Sequence, residues 1–285
     1  MDLLQCAGAS TAFIASFYVW PRERRFIFSA LKSLEVASRD PTIYVDRDSD
    51  DAIRRRTLSF GICCIISGAY IAFGAAGLYA APRRRTLAQL VSRSCFSTLL
   101  LFAGPLTEAL YLRNFDTSES ALMLCRNYVI CPIGEELFYR GVLFSLLYRR
   151  PARARILVSA FFFSLSHMHL VASMACEAYR NSEHNIVDGR SPAKKERACW
   201  LSAGRTMCDL AVVTALFGLL SGYYYEHVCE GSIIAIAAAH ALCNLIGPPQ
   251  FTVLRSRRST ACEKAASAVV YAAGILAWAC TLFHY

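Results

Sequence analysis

Apolar residues in this chain come in long blocks, not in the alternation of a half-buried strand. Residues 3–20, 57–81, 156–176, 210–225, 231–254 and 265–285 contain no Asp, Glu, Lys or Arg, and 94–112 is broken only by Glu108. An eighth block, 127–148, is apolar apart from Glu135, Glu136 and Arg140. These lengths approach or exceed the roughly 20 residues that carry a helix across a bilayer. A closed barrel would instead need alternating strands of about ten residues. The pattern therefore predicts an all-α, polytopic transmembrane helical bundle with about eight spans.

The first block lacks a basic leader, and a bulky "YVW" precedes "PRERR" where a signal-peptide cleavage site would need small residues, so it reads as a retained span. Two polar interruptions, 38–56 and 177–197, exceed tight-turn length. The second is punctuated by Gly and Pro, and a polar connecting loop over 177–205 is expected. Neither interruption is large enough for a separate domain. A single integral-membrane domain, 1–285, is the expectation, with its catalytic core at about 94–250.

Composition agrees with a membrane setting. Hydrophobic residues make up 55% of the chain and charged ones 18%, below the roughly 25% usual in soluble domains. The net charge of +9 would point to nucleic acid in a soluble protein, but here the cations gather at the ends of the apolar blocks. "RERR" at 22–25, "RRR" at 54–56 and 83–85, and "RSRR" at 255–258 are placed as anchors against anionic headgroups. The expected partner is the lipid bilayer, with no nucleic acid. Both ends of the 57–81 block are basic, so charge alone does not orient the chain. The 13 cysteines include no CxxC and lie mostly inside apolar blocks, where cysteine behaves as a small hydrophobe.

Charges inside a span are costly and normally face the bundle interior, which makes them candidates for function. Glu135 and Glu136 point about 100° apart on a helix. Glu136 and Arg140 stand at i,i+4 and face each other, so an ion pair lowers the cost of burying both. Glu135 is then left without a local cation, a setting suited to taking up or delivering a proton. His167 follows Phe163 by one turn, His169 points to another face, and His240 and Asn244 share a face at i,i+4. Three blocks thus supply a carboxylate, a histidine and a His/Asn pair. Such a set can perform hydrolysis: one pair activates water, the other stabilises the oxyanion that forms at the attacked carbonyl.

Each residue also has a purely structural reading. A buried histidine can be a hydrogen-bonded packing element, Asn244 an interhelical tie, and Glu136–Arg140 a clasp. No HExxH is present. The "GLLSG" around Ser221 lacks the glycine two residues before the serine that a serine-hydrolase turn requires, so it reads as helix packing. A zinc site from His167, His169, His240 and Glu135 is conceivable but has no recognised ligand spacing.

In chain order, "EELFYR" fits EExxxR, "FSLSH" fits FxxxH and "HALCN" fits HxxxN. Together they resemble the CPBP family of intramembrane proteases, and most closely its Rce1-like branch, the type II CAAX prenyl endopeptidases. "RDSDDAIRRR", "LLLFAGPLTEAL", "RNYVICPIGEEL" and "TALFG" extend the likeness over roughly 44–250. The resemblance implies that Glu135 and His167 activate the attacking water and that His240 and Asn244 form the oxyanion site. Glu136 and Arg140 would support the site, and His169 would be an accessory histidine. It implies no metal and no cofactor. The implied substrates are prenylated CaaX proteins, such as small GTPases, cut at the endoplasmic reticulum membrane. The 177–205 connection is longer and more charged than the corresponding family segment. The alternatives are a relative with another substrate or a metal requirement, and a non-enzymatic scaffold or transport protein.

Overall fold

A computed structural model describes residues 2–74, 84–112, 119–184 and 191–282. The last residues of the 57–81 and 265–285 blocks, Arg83 of the second arginine cluster and part of 177–205 lie outside them. Every regular element among the described residues is a helix. Four helices are long and apolar enough to cross a membrane: Asp50–Gly74, Ala152–Ser182, Pro192–Val228 and Ala261–Leu282. Two bent pairs, Asp2–Tyr18 with Pro21–Lys32 and Leu87–Leu101 with Ala103–Leu112, bring the number to six if each is one span. The all-α membrane fold is therefore as expected; among the described residues four to six helices meet this length and composition test, against the eight or so spans expected. Two blocks account for most of the difference. The 231–254 block is cut at Gly247, whose φ of 77° ends helix Ile233–Ile246 before Pro248 and Pro249. The 127–148 block is helical without a break as far as Leu146, with π-helical turns in it, but carries the three charges Glu135, Glu136 and Arg140.

The chain divides into two compact units, Met1–Ile71 with Val142–Leu219 and Ala72–Gly141 with Leu220–Tyr285. In the first, helix Asp2–Ala15 runs through a 3₁₀ turn and bends by 101° into Pro21–Lys32. Pro21 at the helix start suits the bend, because it lacks the N–H that would otherwise be orphaned there. Glu23 on the second helix is fully buried and accepts a hydrogen bond of 2.9 Å from Arg55 Nε. Trp20 Nε1 donates to Ser59 Oγ at 2.7 Å, tying the bend to helix Asp50–Ala69.

The 177–205 segment is not an open loop. Helix Val171–His184 and the start of helix Pro192–Tyr223 occupy its described part. Ala172, Ala175, Cys176 and Tyr179 form one helical stripe, buried against Phe26, Ala30, Leu34 and Ala37, with Cys199 and Ala203 in the same core. That spacing is the signature of an amphipathic helix; the charged outer face hid it in the composition. Glu196 accepts from Ser33 Oγ at 2.8 Å and from the Glu35 amide at 3.1 Å, closing the start of helix Leu34–Arg39.

In the second unit, helix Leu87–Leu101 opens with a capping box between Thr86 and Gln89. It packs along Ile233–Ile246, where Ser94 Oγ donates 2.9 Å to the Ala235 carbonyl. Glu108, the lone charge of its block, accepts from the Val253 amide at 2.6 Å and the Tyr271 hydroxyl at 2.8 Å. Inside a membrane bundle such hydrogen bonds satisfy groups that lipid cannot. Helix Ala261–Leu282 comes close to this pair at Gly274, where an added Cβ would stand 2.6 Å from the Leu100 carbonyl oxygen. Gly274→Ala is expected to destabilise the protein by about 1–3 kcal/mol through overpacking. Thermal unfolding in detergent should show a lower Tm for it. Gly8→Ala, which meets nothing within 4 Å, should hold or raise the Tm.

Candidate active site

The second unit gathers Glu135, Arg140 and His240 about one buried carboxylate, that of Glu136. Glu136 ends helix Cys131–Glu136, and the chain continues as a π-helical stretch, Leu137–Val142, that carries Arg140. Both side chains are fully buried, with Arg140 Nε 3.2 Å from Glu136 Oε2. The i,i+4 pairing expected from spacing is thus present. The same oxygen accepts a hydrogen bond of 2.9 Å from Ser221 Oγ. The other oxygen, Oε1, accepts one of 2.8 Å from His240 Nδ1. A carboxylate so surrounded keeps its charge in an apolar interior because all its neighbours are donors or cations.

Helix Ile233–Ile246 starts at Ser232, whose hydroxyl caps the Ala235 amide, and this start sets where His240 stands. An ionised carboxylate accepts only, so the Glu136 contact places a proton on Nδ1 and directs Nε2 away from it. Nε2 lies 3.9 Å from Glu135 Oε2. That separation exceeds a direct hydrogen bond but is bridgeable through a third atom. Glu135 remains 21% exposed while Glu136 is sealed, as their 100° separation on the helix requires. One imidazole is therefore flanked by two adjacent carboxylates, a fixed one at Nδ1 and an accessible one at Nε2.

Asn244, one turn beyond His240, is exposed, and its Nδ2 donates 3.0 Å to the Asn127 carbonyl. Asn127 sits in a second π-helical stretch, Arg126–Ile130. π-Turns occur disproportionately at functional sites because they offset side chains and carbonyls from the α register. The second amide hydrogen of Asn244 is left for another acceptor.

His167 and His169 belong to the first unit. His167 begins the 3₁₀ turn His167–Leu170, packs on the Phe163 ring at 4.9 Å, and its Nδ1 donates 2.8 Å to the Phe163 carbonyl. A carbonyl only accepts, so in the neutral ring Nε2 is the free base. His169 is hydrogen-bonded through Nδ1 to the Ser166 carbonyl and stacks on Phe17 with centroids 5.7 Å apart. Its packing is that of a structural residue. Sequence reasoning missed Ser221 as a partner of Glu136 and Asn127 as a partner of Asn244. The signal for Ser221 was a hydroxyl in an otherwise aliphatic turn; a backbone acceptor such as Asn127 leaves none. Among the described residues, no three His, Cys, Asp or Glu side chains are placed to share a metal ion.

Residues 117–246 match the family model for type II CAAX prenyl endopeptidase Rce1-like proteins. Comparison with curated proteins and with solved structures returned no match. The matched stretch contains every candidate side chain named above, Ser221 included. Because Arg140 and Glu136 are both sealed, Arg140→Met should cost about 3–5 kcal/mol by leaving a buried carboxylate without its cation. The double variant Glu136→Gln/Arg140→Met should recover part of that loss in thermal unfolding. A double variant as unstable as the single one would show that the pair's charge is not the issue.

Proposed function

We propose that this chain, whose residues 117–246 match the family model for type II CAAX prenyl endopeptidase Rce1-like proteins, removes the aaX tripeptide from farnesylated or geranylgeranylated CaaX proteins, small GTPases among them. The membrane helices fit the substrate's chemistry: the prenyl chain partitions into the bilayer, so the bond beside it has to be cut there. The endoplasmic reticulum is the membrane we assign to it, with the site near the cytosolic face.

The observation that carries this reading is the pair of carboxylates on His240. Glu136 at 2.8 Å fixes the ring, and Glu135 stands 3.9 Å from its far nitrogen, partly accessible. In the proposed mechanism Glu135 and His167 take the proton from an attacking water. Water adds to the carbonyl of the prenylated cysteine, and the proton is passed to the departing amine of the first aliphatic residue. His240 and Asn244 donate to the oxyanion. Donation from His240 Nε2 requires a doubly protonated ring, and the Glu136 carboxylate offsets that charge. Asn244 would use the amide hydrogen not engaged by Asn127. His169, Glu136 and Arg140 hold the surrounding structure. No cofactor is needed for these steps.

Vesicles containing the full chain and a farnesylated CaaX peptide should release the tripeptide, detected by mass spectrometry, at the same rate with and without a chelator. Loss of cleavage on chelation would instead assign the water to a metal ion. Glu135→Ala and His167→Ala should abolish cleavage while thermal unfolding stays cooperative; wild-type activity in either would overturn the roles given to them. Asn244→Ala should lower kcat by roughly two to three orders of magnitude, as removal of an oxyanion donor does. A change confined to KM would remove Asn244 from the oxyanion site.

A further inference from the structure

The first unit holds a furrow of about 330 Å³ between helices Asp2–Ala15 and Ala152–Ser166. One wall runs from Ala7 to Ala15, and Phe162, Leu165 and Ser166 form the other. The two helices are parallel. At one end Arg150 Nε donates 3.0 Å to the Asp2 carboxylate. At the other, Phe17 stacks on His169 and the Tyr18 hydroxyl donates 3.3 Å to the His169 carbonyl. Ala15 and Ser166 therefore mark the end next to His167, and Ala7 with Phe162 the end away from it.

We propose that this furrow seats the isoprenoid chain of the substrate, with the thioether at the Ser166 end and the chain tip toward Ala7. The proposal rests on the prenyl-endopeptidase reading above and adds to it an element, the first helix, that lies outside the stretch matched by the family model. The attacked carbonyl belongs to the prenylated cysteine, whose Cβ bears the thioether. Four bonds separate that carbonyl carbon from the first prenyl carbon, a span of about 5 Å once bond angles shorten the path. A prenyl seat must accordingly begin beside the group that activates water. Ser166 directly precedes His167, the residue given that role.

Size and lining agree. From Ala7 to Ala15 the helix rises about 12 Å, and an extended farnesyl chain is roughly 14 Å long. The volume falls at the lower end of the roughly 300–1,000 Å³ of small-molecule sites. Ala7, Ser10, Thr11 and Ala15 are small, which leaves relief for methyl branches between the helical turns. Thr11 and Ala15 are exposed, so the furrow is open along that side. The Ser10 hydroxyl lines it, is nearly sealed at 5% exposure, and has no hydrogen-bond partner among the described residues. An isoprenoid presents C=C π faces to such a donor, whereas a saturated acyl chain presents none.

The test uses the full chain in vesicles and CaaX peptides carrying farnesyl, geranylgeranyl or a saturated C16 thioether, plus a farnesyl analogue with a terminal diazirine. Photolysis should label residues 7–15 or Phe162, and excess farnesyl peptide should prevent labelling far better than the C16 peptide. Ala7→Phe should lower kcat/KM for the geranylgeranyl peptide by at least ~10-fold, through KM, and affect the farnesyl peptide less. Ala7→Leu repeats the experiment with a smaller change if the larger side chain impairs folding. Labelling confined to other helices, equal protection by the C16 peptide, or unchanged KM in both variants would each overturn the furrow assignment. Absence of cleavage of every peptide would instead remove the endopeptidase reading, and the wild-type labelling map would still decide where the chain binds.

Discussion

The second unit depends on one carboxylate placed where carboxylates are most costly. Glu136 is fully buried in a segment that is otherwise apolar, and it is held by Arg140 from the next turn, Ser221 from helix Pro192–Tyr223 and His240 from helix Ile233–Ile246. An unpaired charge there would be neutralised or expelled. With these partners the charge becomes a fixed point to which three stretches of chain are tied. Removing any one partner leaves the others in contact with a less compensated anion, so the residues act as a set and single substitutions will not sum.

The local backbone is shaped to allow this. π-Helical stretches at Arg126–Ile130, Leu137–Val142 and Tyr224–Val228 lie close in sequence to Glu136, Arg140 and Ser221. In the first of them the Cys131 amide donates to the Arg126 carbonyl, the i→i+5 bond of a widened turn. The next carbonyl, that of Asn127, accepts the Asn244 side chain. The widening thus has a visible consequence, a backbone acceptor offered to a residue on another helix. A regular α-helix would hold that carbonyl in its own ladder.

This explains what the sequence disclosed and what it did not. Relations within one helix are readable from spacing, and the Glu136–Arg140 pair was one of them. His240 and Asn244 share a face as their i,i+4 spacing requires, yet the partner that fixes His240 is Glu136, 104 positions away. No period in the chain encodes that contact. The continuation of the helix past Cys176 to His184 was legible in principle from the stripe Ala172, Ala175, Cys176 and Tyr179, but the charges after 176 drew the expectation toward loop. The long apolar helices number fewer than the apolar blocks for a related reason: Glu135, Glu136 and Arg140 interrupt the 127–148 block with charge, and Gly247 ends the helix of the 231–254 block early.

The adjacency of the two glutamates is the feature that joins these points. Neighbouring helical positions diverge by about 100°, so one carboxylate can be sealed among donors while the other keeps access to solvent or substrate. Had they been four residues apart they would share a face, and both would be buried or both exposed. Here the imidazole of His240 meets Glu136 through Nδ1 at 2.8 Å and faces Glu135 through Nε2 at 3.9 Å. The short contact fixes the ring and its tautomer. The long one leaves the second nitrogen and the second carboxylate apart by a gap wider than a hydrogen bond. Identical side chains in consecutive positions thereby take different settings, one sealed and one accessible, and the helix turn between them makes the division.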